Sequence, residues 1–477
     1  MAREYPSLSR QHTLAQLPAE YPTDAQDQIS QILSNSHINR LVVLDDDPTG
    51  TQTCHDINVL TVWDIATLKA EFETDSRGFF ILTNSRALPP TEAEHLIRTI
   101  CENVHEAAQS TSQQVDIVLR GDSTLRGHFP LETDVAQFVF GPADALVLAP
   151  FFFQGGRFTI DDVHYVAEGD SLVPAGRTQF ARDASFGYRS SNLHDYVLEK
   201  APGRFTSSQL CSVSISDIRR GGSQAVCETL VKLPAGGVVV VNAAAESDMH
   251  VFLTPPAEAK GKHFLYRTGA AFVSTRLGIR SKAPISAAEL QLPSPRQTGA
   301  LIVAGSYVPK TTAQLQVLTS QRGSTDQLAI IEMNVNDLIM SSERAAHTVE
   351  RVVRETEASL LTGTDTLVMT SRDLVTGGDE LASLRIGAAV AEALVGVVRR
   401  VEVRPRYIIA KGGITSSDAA TKGLNIKRAT IVGQAAPGVP LWRCDEATSR
   451  HCGVPFVVFP GNVGGESTLC ELVESWS

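Results

Sequence analysis

What the 477-residue sequence lacks narrows its reading first. None of its seven cysteines, at positions 54, 101, 211, 227, 444, 452 and 470, forms a CxxC pair. His451 adjoins Cys452, but Cys444 and Cys452 are too isolated from other Cys/His pairs to complete a zinc site. Reduced thiols in a cytoplasmic protein are the simplest expectation. No apolar run approaches the ~20 residues of a membrane span. The first forty residues are polar, contain Pro6, Pro18 and Pro22, and have neither the apolar core nor the cleavage site of a signal peptide. With a formal net charge of -11 there is no basic excess for non-specific nucleic-acid binding, although local Arg and Lys clusters can still hold small anions. Low-complexity tracts and short-period repeats are absent.

What is there is the composition of a soluble globular protein, 43% hydrophobic and 20% charged, with a length that suggests roughly two to three domains. The stretch Leu41 to Thr53, LVVLDDDPTGTQT, runs four apolar residues straight into Asp45, Asp46 and Asp47. A short apolar run bounded by turn residues reads as a strand buried on both faces of a parallel sheet. Its carboxylates then sit at the edge where open α/β sheets place ligands. Three adjacent acids are tolerable if solvated, if hydrogen-bonded to backbone N–H, or if they face a cation or a proton-donating substrate. Further strands are expected at Ile57 to Val62, Gly78 to Leu82, Val115 to Leu119, Ala145 to Leu148 and Gly237 to Asn242. Thr91 and Glu94 read as a capping box opening a helix that continues towards Ala108. Residues 151 to 187 break the pattern and read as an irregular binding loop or lid.

Residues 281 to 298, with three prolines and little periodicity, mark a boundary, after which the α/β alternation restarts. The division expected is an arm at 1–39, a domain at 40–285, a linker at 286–298 and a second domain at 299–477. Strands at Ala300 to Val303, Thr366 to Met369, Arg406 to Ala410 and Phe456 to Phe459 open into polar or Gly-rich loops, and Leu381 to Val401 has helical spacing. The architecture that follows is two α/β domains with mainly parallel sheets facing each other across a cleft.

In the second half, Lys411, Gly412, Gly413 and Thr415 lie at a strand-to-helix junction, where backbone N–H groups and the helix dipole cradle phosphate oxygens. The spacing is not that of a Walker A loop, because Lys411 precedes the glycines. Gly461, Asn462 and Gly464 form a second Gly-rich turn that fails the dinucleotide fingerprint. Glycine at a turn often only supplies positive φ, but two such loops after buried strands point to a nucleotide site. In the first half, Arg120, Asp122, Ser123 and Arg126 share one loop suited to a carboxylate or phosphate. Arg86 and Arg276 each follow a strand and a polar turn and can converge on the same edge, with surface salt bridges as the alternative. His128 and His164 are weaker acid–base candidates.

Taken together these residues resemble the four-carbon acid sugar kinases. The aspartate-rich element of that family is similar to Asp45-Asp46-Asp47-Pro48-Thr49-Gly50, and its K-x-D-S-T-L-R-G loop to Arg120 through Gly127. Its GS and T-x-x-QL elements are similar to Gly305-Ser306 and Thr312 to Leu315. Its GG-x-T and G-N-x-G loops are similar to Gly412 to Thr415 and Gly461 to Gly464. Here Arg120 stands where the family usually has lysine. The resemblance implies ATP-dependent, Mg2+-assisted phosphorylation of a hydroxyl on a four-carbon sugar acid of the erythronate, threonate or 3-oxo-tetronate type. It implies Asp45 or Asp46 as the base and Asp47, Thr49, Arg86, Arg120, Asp122, Ser123, Arg126 and Arg276 at the substrate. For the nucleotide it implies Ser306, Lys411, Gly412, Gly413, Thr415, Gly461, Asn462 and Gly464. No metal ligand is assigned, and a homodimer is one possible assembly. The rival readings are a metal-dependent lyase or aldolase using the aspartate cluster, and a non-catalytic sensor of sugar acids or nucleotides.

Overall fold

Leu41, Val42, Val43 and Leu44 are each at most 3% exposed, because the strand they form is covered on both faces. Burying each such side chain contributes about 1.5–3 kcal/mol, which is why the unbroken apolar run selects a central strand. The fold comes from a computed structural model describing all residues except 1–2, 24, 36–37, 255–260, 306–307, 324–326, 373–374 and 376–379. The chain forms two compact units, residues 1–54 with 62–281, and residues 55–61 with 282–477.

In the first unit, seven parallel strands lie in the order Leu210–Val213, Gly237–Val241, Ala145–Ala149, Phe264–Thr268, Val115–Arg120, Arg40–Asp45 and Gly78–Leu82. Chain order reverses around Arg40–Asp45: the chain passes to Gly78–Leu82 on one side and returns to Val115–Arg120 on the other. The crevice at such a reversal is the preferred ligand site of an open α/β sheet. The helix expected to begin at Thr91 spans Pro90–Ser110, with Pro89 at the cap position. Pro90 takes the first helical position, where its fixed φ fits and its missing N–H costs nothing.

Residues 151 to 187 are not the irregular loop expected. Strands Arg157–Ile160, Val163–Glu168 and Ser171–Pro174 form an antiparallel sheet, to which Leu8–Ser9 adds an edge. The arm at 1–39 is therefore part of this unit, and Arg219 Nη1 donates to Pro18 O at 2.8 Å.

The second unit has a parallel core in the order Pro455–Phe459, Ile408–Lys411, Leu301–Ala304, Asp365–Thr370 and Leu328–Met333. Antiparallel strands Val439–Arg443 and Arg428–Ala436 extend it beyond Pro455–Phe459. Ile57–Leu60, expected in the first domain, pairs antiparallel with Arg428–Ala436 and belongs to the second unit. Its short apolar pattern specifies a strand without specifying a partner. Trp476, 1% exposed, closes this core by packing edge-on against Tyr407 and donating Nε1 to Ile285 O at 3.0 Å.

Candidate functional site

Asp45 ends its strand opposite Arg120, and the Arg120 Nη1 lies 3.4 Å from Asp45 Oδ1. Both are buried, at 1% and 3% exposure. Asp45 Oδ2 and both oxygens of Asp46 are also buried, and none has a hydrogen-bond partner among the described residues. Burial, only partly offset by Arg120, pushes the Asp45 carboxyl up to about 8. Burial raises Asp46 to about 6 against the pull of Arg86. A buried carboxylate without donors holds a proton more readily than one in water, which brings its titration towards neutrality, where a carboxylate serves best as a general base.

The space beside these acids is fixed by glycine. A Cβ on Gly50 would lie 2.0 Å from Asp45 Oδ2, so the turn Pro48–Thr51 can fold under the carboxylate only without a side chain there. Gly127, at φ 119°, would set a Cβ 3.0 Å from Asp46 Oδ2.

Arg86 joins the acidic groups into one network. It pairs with Asp47, and its Nη1 lies 3.7 Å from both Asp46 Oδ1 and Asp122 Oδ1. Burial alone would raise Asp47; Arg86 and the Thr49 N–H, which donates to it at 2.9 Å, overcome that and hold it low. Burial is likewise outweighed at Asp122, where Arg126, Arg86 and the Thr124 hydroxyl keep the carboxyl far below its ordinary range. Arg126 Nε donates to Asp122 at 2.6 Å. The result is two acids poised near neutrality, Asp45 and Asp46, beside two held firmly ionised, Asp47 and Asp122.

In the second unit, the loops after Leu301–Ala304, Ile408–Lys411 and Pro455–Phe459 leave the same edge of a parallel sheet. Gly412, at φ 111°, caps the helix Gly413–Asp418, and its N–H donates to Phe459 O at 2.8 Å. Gln314 Nε2 donates to Val463 O and Gly465 O at 3.1 and 2.7 Å, and Thr311 to Gly461 O at 3.4 Å, so the helix Pro309–Arg322 pins the second glycine loop. Gly464 takes φ 81°. Backbone held this way, with small residues and the half-buried Thr415 beside it, fits polyphosphate oxygens.

Residues 41–276 match the model of a sugar-binding N-terminal domain, and residues 301–469 that of a nucleotide-binding C-terminal domain. The chain belongs to the four-carbon acid sugar kinase-like family. The 3-oxo-isoapionate kinase of Paraburkholderia graminis is 28% identical over 176 residues, 34% of this chain and 36% of that protein. The match thus spans about a third of the relative's length. In fold, the chain is similar to a Haemophilus influenzae protein at TM-score 0.60 and 17% identity, covering 91% of this chain and 99% of that one. A Salmonella typhimurium LT2 protein with a provisional tRNA synthase description aligns at TM-score 0.64 and 16% identity, over 90% of this chain and 98% of that one.

In this sugar-acid kinase-like chain, Asp45, Asp46, Asp47, Arg86, Arg120, Asp122 and Arg126 come together, with Thr49 and Ser123 on the same loops. Arg276 does not join them. It ends the helix Ala270–Arg276 and pairs with Asp116 at 2.6 Å, near the start of Val115–Arg120. A helix leaving the C-terminal edge of a strand runs back across the sheet, so its last residue lies at the opposite edge. His164 is wholly buried on a strand, donating Nε2 to Ser123 O at 2.8 Å and accepting at Nδ1 from Thr159. Burial lowers it to about 4, so it is a neutral structural group. His128 Nε2 is spent on the Ser85 and Leu88 carbonyls, each at 3.1 Å.

Lys411 is wholly buried. Its Nζ donates to Pro460 O at 2.7 Å and lies 4.3 Å from the Phe459 ring centroid. Burial, with Lys310 adding repulsion, lowers it to about 7. It ties the two glycine loops to each other, whereas the resemblance implies a direct ligand of the nucleotide. Ser306 lies outside the described residues.

Sequence reasoning missed Glu132, which accepts from Ser85 at 2.6 Å and Arg267 at 3.2 Å and braces the wall behind Asp46. The Leu131–Phe140 helix gave no sign that its second residue is buried. Among the described residues no group of three or more His, Cys, Asp or Glu side chains is arranged to hold a metal ion, and no helix is long and apolar enough to cross a membrane.

Proposed function

We propose that this protein is an ATP-dependent kinase that phosphorylates a hydroxyl of a four-carbon sugar acid of the erythronate, threonate or 3-oxo-tetronate type. The observation that carries the reading is the Asp45–Asp46 pair: three buried carboxylate oxygens without hydrogen-bond partners among the described residues, at a sheet crevice, beside the guanidiniums of Arg86 and Arg120. The acceptor hydroxyl donates its hydrogen bond to Asp46, which is ionised at neutral pH and takes the proton as the oxygen attacks. Asp45 aligns the same or the neighbouring hydroxyl, and Arg86 with the Asp122–Arg126 loop orients the rest of the acid. Gly412, Gly413, Thr415, Gly461, Asn462 and Gly464 hold the nucleotide, and Lys411 fixes the shape of their loops. ATP held by these loops would supply the phosphoryl group, and a Mg2+ bound with it would neutralise the charge that develops. Because phosphoryl transfer asks chiefly for positioning, a rigid wall of paired charges suits the task.

The sugar-binding and nucleotide-binding family regions support this reading, as does a relative named as a kinase of a sugar acid. The test is an ATP-consumption screen over the stereoisomeric four-carbon sugar acids with three- to six-carbon acids as controls. ADP formation that depends on a four-carbon acid is expected, and a panel with no ATP-dependent product overturns the proposal.

A further inference from the structure

Five arginines are buried or half-buried around the acidic strand exits of the first unit, and four have a carboxylate within reach. Arg86 meets Asp46, Asp47 and Asp122; Arg120 meets Asp45; Arg126 meets Asp122 and Asp183; Arg267 meets Glu132. Arg157 makes no ion pair among the described residues, although it is only 7% exposed. One nitrogen, Nη1, donates to Gly155 O, and Nε is buried without a hydrogen-bond partner. Its Cζ lies 5.8 Å from the centroid of Phe180, and the Cζ of Arg126 lies 5.2 Å from the same centroid. Two guanidiniums thus lie near one ring, and of the two Arg157 has no carboxylate within ion-pair distance among the described residues. Burial lowers the affinity of Arg157 for its proton; Asp122, beyond ion-pair distance, pulls partly the other way, and the Arg126 charge adds to the lowering. A buried cation with no carboxylate in ion-pair reach is costly, and an anionic ligand relieves the cost.

We propose that Arg157, with Arg126 beside the same Phe180 ring, binds the carboxylate of the substrate and so restricts the site to sugar acids. The inference rests on the sugar-acid reading above and adds a residue and an orientation to it: the carboxylate lies at the Arg157 end and the reacting hydroxyl at the Asp46 end. Arginine suits the first role because its planar donors match a carboxylate, whereas a lysine presents a point charge. The antiparallel sheet that carries Arg157 then sets specificity.

The test compares wild type, Arg157→Met and Arg157→Lys for binding of erythronate and threonate, and of the neutral tetritols erythritol and threitol, by calorimetry without nucleotide. ATP turnover follows on the same panel. Wild type is expected to prefer the acids. Arg157→Met is expected to lose roughly 10- to 100-fold in affinity for them while tetritol binding stays unchanged, with Arg157→Lys between the two. The loss should appear in KM rather than kcat. Equal loss for acids and tetritols marks a structural role and overturns the proposal, as does a wild type that binds tetritols as well as acids or binds no acid. ATP turnover with tetritols would leave the kinase reading intact while sinking the clamp. Preferential acid binding without ADP formation would do the reverse.

Discussion

Asp45 and Arg120 are register partners on adjacent parallel strands, and their side chains close that register with a buried ion pair at 3.4 Å. The pair sits where the strand order of the first unit reverses, so the charges mark the crevice that the topology opens. Removing Arg120 leaves Asp45, already raised to about 8 by burial, to hold its proton, so what is lost is a buried hydrogen-bonded contact rather than the balance of a stranded charge. Arg120→Leu is expected to cost about 1–3 kcal/mol of stability, and Arg120→Lys less, as urea unfolding of the two variants would show. Equal stability of Arg120→Leu and wild type would mean that the pair contributes nothing.

Asp46→Asn keeps the shape of the site and removes the proton acceptor. We expect kcat to fall by roughly 10²- to 10⁴-fold with little change in sugar-acid binding. In wild type the rate should decline as pH drops through about 6, where Asp46 takes up a proton. Stopped assays across pH 5 to 8 would check this, and near-normal turnover by Asp46→Asn would reassign the base.

Gly50→Ala tests whether Asp45 must stay where it is. The new methyl would lie 2.0 Å from Oδ2, so either the carboxylate or the turn must move. A stability loss of about 1–3 kcal/mol is expected, together with at least a tenfold drop in kcat/KM. Unchanged kinetics would show that the position of Asp45 is not critical.

Lys411→Met removes the bond to Pro460 while filling the same space. The KM for ATP should rise about tenfold and the KM for the sugar acid should hold, because one loop anchor in the nucleotide unit is lost. The pH dependence of stability carries its own sign. Lys411 has a folded value of about 7 against an ordinary 10.5, so the unfolded chain binds more protons between them, and stability rises with pH in that window. The variant should lose that rise, as melting temperatures from pH 7 to 10 would reveal.

Most of this site could be read from sequence because strand and loop are contiguous there. Leu41 to Asp47 and Val115 to Arg126 each state a buried strand and the polar exit that follows it, and parallel pairing puts every such exit on one edge. Arg276 was misplaced because its seven-residue segment is as compatible with a second strand as with a returning helix. Arg157 was passed over for a different reason: its neighbours Phe180 and Arg126 come from separate loops, and alternation alone does not encode that they meet it. The burial of Lys411 was also illegible, since nothing in Ala410-Lys411-Gly412 says that a carbonyl from a strand end forty-nine residues away will accept its hydrogen bond.

The strand Ile57–Leu60 has a consequence for synthesis. Asn58 and Thr430 hydrogen-bond at 3.1 Å across 372 positions, so this strand leaves the ribosome long before the strand that pairs with it. Closing so long a loop delays the reward of pairing and favours slow, late assembly. A translating chain must therefore hold an unpaired β segment until the last hairpin of the protein emerges. A C-terminal fragment made alone would leave the matching edge of Arg428–Ala436 open to other chains.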